Sequence, residues 1–226
     1  MSNSKTSNDE QRQEFEKAFV ATLIKDAEAA IRRFGSSGRE VQQARRDLVR
    51  SLHATIEGVV WAFREHVRSS SKTMDLLTSA EEAVLSETTF QVSDSGAISI
   101  QPRYLPMLGA VRLACKIATK INPTFSVNFD GKEWADFRQA VATRNRLMHP
   151  KTLADLAVSS GEIATVISSF FWILEVSIRA MEASVEALRD FVTKLDEVLQ
   201  GLKIGDPEIV QMVEIVKAHR QALGDD

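Results

Sequence analysis

The sequence predicts an all-α protein: a helical bundle with a four-helix core, a small inserted β-hairpin and a long C-terminal helix. Three observations carry that expectation. Apolar residues recur at spacings of three and four through most of the 226 residues, the period of helices that each bury one face. Gly, Pro and Ser or Asp followed by Glu punctuate those stretches as helix ends and starts. A single short segment alternates with period two instead, the period of a strand.

Residues 1–10 are polar and hold no apolar run, which predicts a disordered tail and no secretory signal. From residue 8 to 34 the series Phe15, Phe19, Leu23, Ala27, Ala30 and Phe34 is helical, and Gly35-Ser36-Ser37-Gly38 supplies a stop and a turn. A second helix is expected over 39–67. Val41, Leu48, Leu52, Ile56, Val59, Phe63 and Val67 share its inner face, and Arg45, Arg46, Asp47 and Arg50 lie near its start. Ser79-Ala80-Glu81-Glu82 reads as a capping box for a short helix. Residues 88–92 and 98–100 then alternate across Asp94-Ser95-Gly96, a hairpin inserted near 87–101.

A third long helix is expected over 106–121, with Leu108, Val111, Cys115, Ala118 and Ile121 on one stripe and Asn122-Pro123 ending it. The fourth starts at a capping box, Asp130-Gly131-Lys132-Glu133, and runs to His149, where Pro150 discourages further α geometry. Ser159-Ser160-Gly161-Glu162 caps the last long helix. Along it Ile167, Phe171, Leu174, Ile178, Met181, Val185, Leu188, Val192, Leu195, Leu199 and Leu202 alternate four and three, the seam of a coiled coil. Asp206-Pro207 opens a final short helix with Ile209, Val213 and Val216. The expected organisation is one domain with extensions: a tail at 1–10, a helix within 11–38, a helical domain over 39–205, and a short helix within 206–226.

Bulk chemistry narrows the function. A net charge of -3 and an isoelectric point near 5.9 argue against a global positive field, so any contact with nucleic acid must be local. One cysteine excludes an intramolecular disulfide framework and multi-cysteine zinc patterns, and Cys115 reads as a small buried hydrophobe. The four histidines, His53, His66, His149 and His219, are scattered and show no metal-ligand spacing, so neither a metal nor a cofactor is expected. The most apolar window, 163–178, contains Ser168, Ser169, Glu175 and Ser177 and falls short of the roughly twenty apolar residues a bilayer needs. It reads as a core helix, and the chain as cytoplasmic without a membrane partner. Trp61, Trp134 and Trp172 border apolar stripes and read as core.

The segment Arg144-Asn145-Arg146-Leu147-Met148-His149-Pro150 holds the chemistry. Trp134, Phe137, Val141, Arg144 and Met148 follow helical spacing, which puts a guanidinium on an apolar stripe. An unpaired buried charge costs several kcal/mol, so Arg144 must find an acid, a cap, a polar cleft or an interface. Histidine titrates near neutrality and suits proton transfer at a 2′-hydroxyl, which makes His149 the candidate acid or base. Arg144 suits the charge that develops on a phosphate, and Asn145, one turn before His149, suits orienting the imidazole or ribose. Arg146 and Lys151 are candidate substrate contacts, and Glu57 a candidate partner for Arg144. On an ideal helix Arg144 and His149 lie about 140° apart, so a site shared across a two-fold interface fits better than one within a chain.

An arginine followed by a polar residue, then a histidine five residues on and a proline, late in a helical core, resembles the HEPN superfamily. The resemblance covers residues 39–189. The first helix, the hairpin and the C-terminal extension depart from it. It implies a homodimeric, metal-independent ribonuclease of a toxin-antitoxin, abortive-infection or RNA-processing system, with RNA as substrate and an antitoxin or defence partner. It equally implies members that keep only the fold, as modules binding nucleic acid, nucleotide or protein. A plainer reading of the same residues is a buried Arg144–Glu57 ion pair with His149 complementing a helix C-terminus. On that reading Arg146 and Lys151 are solvated cations at the same helix end, and His53, Glu57 and Arg64 are ordinary pairs on a helix surface. A third possibility is a coiled-coil oligomerisation or partner-docking protein built on residues 178–202, for which the motif is incidental.

Overall fold

A computed structural model describes the backbone of residues 3–36 and 41–223, and the side chains of residues 18–36 and 41–218. Among them the chain forms seven α-helices, one antiparallel two-stranded sheet and a single 3₁₀ turn. The mostly helical class expected from the periodicity is the observed one. Ser37, Gly38 and Arg39, in the expected turn and helix start, lie outside the described residues, as do the side chains of Phe15 and His219. By its contacts the chain divides into two compact units, Met1–Ser184 and Val185–Asp226, so the division falls within the last long helix rather than at residue 205.

In the first unit, α1 spans Asn3–Ser36 and includes residues 3–10, assigned above to a tail. Neither Gly nor Pro interrupts residues 3–34, so nothing stops helix propagation there. Helix α2, Gln42–Thr73, buries Leu48, Leu52, Ile56, Val59, Phe63 and Val67 as the spacing predicts. It continues six residues past the expected end, and the hydroxyls there are satisfied within the helix, as Thr73 Oγ1 donates to the Ser69 carbonyl at 3.0 Å. Gly58 lies where α1 packs closely on α2, since a Cβ there would lie 2.1 Å from Leu23 Cδ1. The Arg45 side chain is buried and donates to the Val158 carbonyl at 2.7 Å and to Ser160 Oγ at 3.0 Å, tying the start of α2 to the segment before α6.

Helix α3, Ser79–Leu85, carries a capping box, displaced by one residue from the expected one. Thr78 is the cap and Glu81 closes the box, while Glu82 is engaged by Lys72 at 2.5 Å. Strands β1 (Thr88–Val92) and β2 (Ile98–Pro102) form the expected hairpin, with Phe90 opposite Ile100 and Val92 opposite Ile98, all four exposed. Helix α4, Met107–Ile121, buries Val111, Cys115, Ala118 and Ile121. Burial pushes the Cys115 thiol up to about 12, so it stays a neutral hydrophobe.

Helix α5, Lys132–Met148, begins after Gly131 with no side-chain cap, so the box expected from Asp130 does not form. Asn128 Oδ1 accepts the Asp130 amide at 2.9 Å, an Asx turn that holds Asp130 outside the helix start. Helix α6, Ser160–Ile204, does begin at its expected box: Ser159 Oγ accepts the Glu162 amide at 3.2 Å, and Glu162 Oε2 accepts the Ser159 amide at 2.8 Å. Its inward face in this unit is Ile163, Val166, Phe170, Ile173, Val176 and Ala180, with Ser169, Ser177 and Ser184 buried beside them. The core thus draws on six helices, α1 contributing Ala27 and Ala30 and α3 contributing Leu85.

The second unit comprises the end of α6 and α7, Pro207–Leu223, joined through Gly205 at φ 69°. Asp206 Oδ1 accepts the Glu208 amide at 2.9 Å and caps α7, the start its Asp-Pro pair predicts. Ile209 seats on Gly201, where a Cβ would lie 2.7 Å from its Cγ1. Among the described residues α6 is the one helix long and apolar enough to cross a membrane by length and composition, and 44% of its most apolar window is buried.

Candidate functional site

Helix α5 sets the site by which of its faces it turns inward. The face that packs the core is Trp134, Phe137, Ala140, Thr143 and Leu147. That face lies one step round from the stripe drawn through Arg144 and Met148, because small Ala140 and Thr143 fill the close contact. Arg144 therefore sits at the edge of the core, and Met148 is exposed. Trp134 and Phe137 both pack against Trp172 of α6, ring centroids 6.0 and 5.3 Å away, which anchors the helix.

Arg144 Nη2 donates to Glu57 Oε1 at 2.6 Å, and Nη1 donates to Asn145 Oδ1 at 3.2 Å. The Glu57 partner read from the sequence is thus present. The pair is not buried, however: the Arg144 side chain is 29% exposed and Glu57 45%. Together with Asn145 they line a cleft of about 510 Å³ among α2, α4 and α5, which also takes in His53, Trp61, Arg64, Glu87 and Tyr104.

His149 does not line that cleft. It is the C-cap of α5, at φ -129° and ψ 55°, its amide bonded to the Asn145 carbonyl at 3.1 Å and its ring exposed. One chain thus brings together Arg144, Asn145 and Glu57 and leaves His149 apart. Arg146 turns to a third place. It donates to the carbonyl of Ala157 at 2.8 Å and to Glu162 Oε1 at 2.5 Å, so it ties α5 to the start of α6. Lys151 has an exposed side chain, and its amide donates to Asp155 Oδ2 at 2.9 Å.

Three cleft residues carry more than the sequence suggested. His53 and Arg64, read as parts of surface helix pairs, are buried, and neither pairs along α2. The Arg64 guanidinium grips the Glu87 carboxylate in a fork, Nη1 to Oε1 at 2.8 Å and Nη2 to Oε2 at 3.0 Å, and that bond holds Glu87 below the usual carboxylate range. Glu87 Oε1 also accepts the Leu105 amide at 3.1 Å. No sequence signal marked Glu87, which sits at φ 52° between α3 and β1. Burial pulls the His53 imidazole down to about 4. Its bond to the Ala140 carbonyl opposes that, and the nearby Arg144 charge adds to it. His53 Nε2 and Arg64 Nε lie buried with no hydrogen-bond partner among the described residues.

The cleft offers donors suited to an anion in the partly exposed Arg144 guanidinium and the Asn145 amide, while neutral His53, whose one N–H goes to the Ala140 carbonyl, adds only an accepting Nε2. Its two arginines already face Glu57 and Glu87, so it balances charge rather than concentrating it. Among the described residues no group of three or more His, Cys, Asp or Glu could hold a metal ion. No family model, curated protein or solved structure matches the chain.

Proposed function

We propose that the chain is a metal-independent RNA endonuclease of a bacterial defence or toxin-type system, acting in the cytoplasm as a homodimer of HEPN-like helical domains. Arg144 stabilises charge on the scissile phosphate, Asn145 orients, and His149 of the other copy moves the proton as the 2′-hydroxyl attacks. The observation that carries this reading is the position of Arg144: a guanidinium at the mouth of a cleft, held by Glu57 with part of its donor fork open to solvent. The separation of His149 from that cleft within one chain is what a composite site requires. Purified protein incubated with RNA and a chelator should cleave. His149→Ala and Arg144→Ala should each cut at least about 100-fold more slowly with helicity unchanged. Undiminished cleavage by either variant removes that residue from the mechanism.

A second reading has its own support. Arg144 is already engaged by Glu57, and Arg146, with three internal acceptors, has little left to offer a substrate. That arrangement suits a non-catalytic module whose cleft binds a nucleotide, an RNA or a protein. Saturable binding of RNA or nucleotide that Arg144→Ala abolishes, with no cleavage of any RNA tested, would select it.

A further inference from the structure

We propose that residues 185–202 of α6 pair with the same stretch of a second copy as an antiparallel two-stranded coiled coil. Helix α6 carries two apolar stripes. Lettering its seven-residue repeat with Val185, Val192 and Leu199 at a, and Leu188, Leu195 and Leu202 at d, puts the residues buried in the first unit at c, f and g. Phe170, Ser177 and Ser184 fall at g, Ile173 and Ala180 at c, and Val176 at f. Ile209 of α7 likewise seats on Gly201, a c position. Within each unit the chain's own contacts on α6 thus lie off the a and d positions.

The seam is bare. Val185 is 40% exposed, Val192 60%, Leu195 47%, Leu199 54% and Leu202 38%.

The flanking charges choose orientation and register. The g flank, Ser184, Phe191 and Val198, has no charge, so in a parallel pair the charged e positions would meet nothing of opposite sign. Antiparallel pairing brings e against e and g against g. With Val192 packed on Leu195 of the other copy, Glu182 meets Lys203 and Arg189 meets Asp196, each twice by symmetry. Phe191 and Val198 then close the other flank. Sliding one heptad either way sets Glu182 against Asp196 and Arg189 against itself, or Arg189 against Lys203 and Asp196 against itself. Both slips are repulsive, so a single register is attractive. None of the four charged groups has an ion-pair partner among the described residues of its own chain.

Light scattering on the full chain tests this. The wild type should weigh twice the 25.1 kDa of one chain, and Val192→Glu/Leu199→Glu should halve the mass with helicity retained. Arg189→Glu should weaken the dimer at least tenfold, and Arg189→Glu/Asp196→Arg should restore it. These positions are exposed, so that series stands even if the seam variant misfolds. A monomeric wild type, a dimer indifferent to Val192→Glu/Leu199→Glu, or a double reversal without rescue overturns the proposal. An inactive dimer that obeys the series leaves it standing and sinks the nuclease reading. An active dimer that ignores the series does the reverse.

Discussion

His53 gives the protein a pH dependence of its own. The folded chain holds it neutral down to about pH 4, whereas an unfolded histidine takes its proton near 6.5. Between those values the unfolded state binds more protons, so stability is complete above about 6.5 and falls as the pH drops toward 4. A buried shift of that size corresponds to something on the order of 3 kcal/mol. Urea unfolding at pH 7 and pH 4.5 should show a markedly larger loss in the wild type than in His53→Gln, whose amide can still donate to the Ala140 carbonyl. Equal losses would assign the acid sensitivity to carboxylates shared by both proteins. The sequence placed His53 and Glu57 on one stripe of α2, and Glu57 was legible as a partner for Arg144 because it is a lone acid among Ile56, Val59 and Val60. Glu87 was not legible. It acts from a left-handed connector, where no periodic pattern exists to read, and its meaning comes from Arg64 twenty-three residues earlier.

Helix identity was written plainly in spacing, but which face turns inward was not. In α6 the large hydrophobes of the seam drew the eye, yet the bundle packs Ser169, Ser177, Ala180 and Ser184. Small residues let helices approach, and a serine can be buried cheaply when its hydroxyl returns to its own backbone, as Ser169 does to Thr165 and Ser184 to Ala180, both at 2.7 Å. Sequence patterning scores those residues as polar, so it finds a stripe but misassigns its partner. Glycine behaves in the same way. In an exposed helix interior, replacing Gly with Ala gains roughly 0.5–1 kcal/mol. Gly109, exposed in the first turn of α4, should gain part of that, with nothing within 4 Å of its added Cβ. Gly58 in α2 should not, because Leu23 and Phe19 occupy the space. Gly109→Ala should therefore raise the urea midpoint and Gly58→Ala should lower it. A stabilised Gly58→Ala would mean that the α1–α2 approach relaxes freely.

Across the whole molecule, the two units differ in how much core each owns. The buried hydrophobic residues end at Ala180, and from residue 185 to 218 the only buried residue is Gly201. A helical segment with so little interior of its own gains most of its stability from packing against something else. The first unit should not need it. A fragment ending at Ser184 should unfold cooperatively, with helicity close to that expected from α1 to the truncated α6, and should associate much more weakly than the full chain, which carries the seam. A peptide of residues 185–226 should be weakly helical when dilute and gain helicity with concentration as its seams pair. Circular dichroism over a hundredfold concentration range decides the matter for the peptide, and sedimentation decides it for the fragment. A fragment that dimerises as tightly as the full chain would move the main association surface into the first unit, and a peptide whose helicity ignores concentration would mean that α7 alone sustains it.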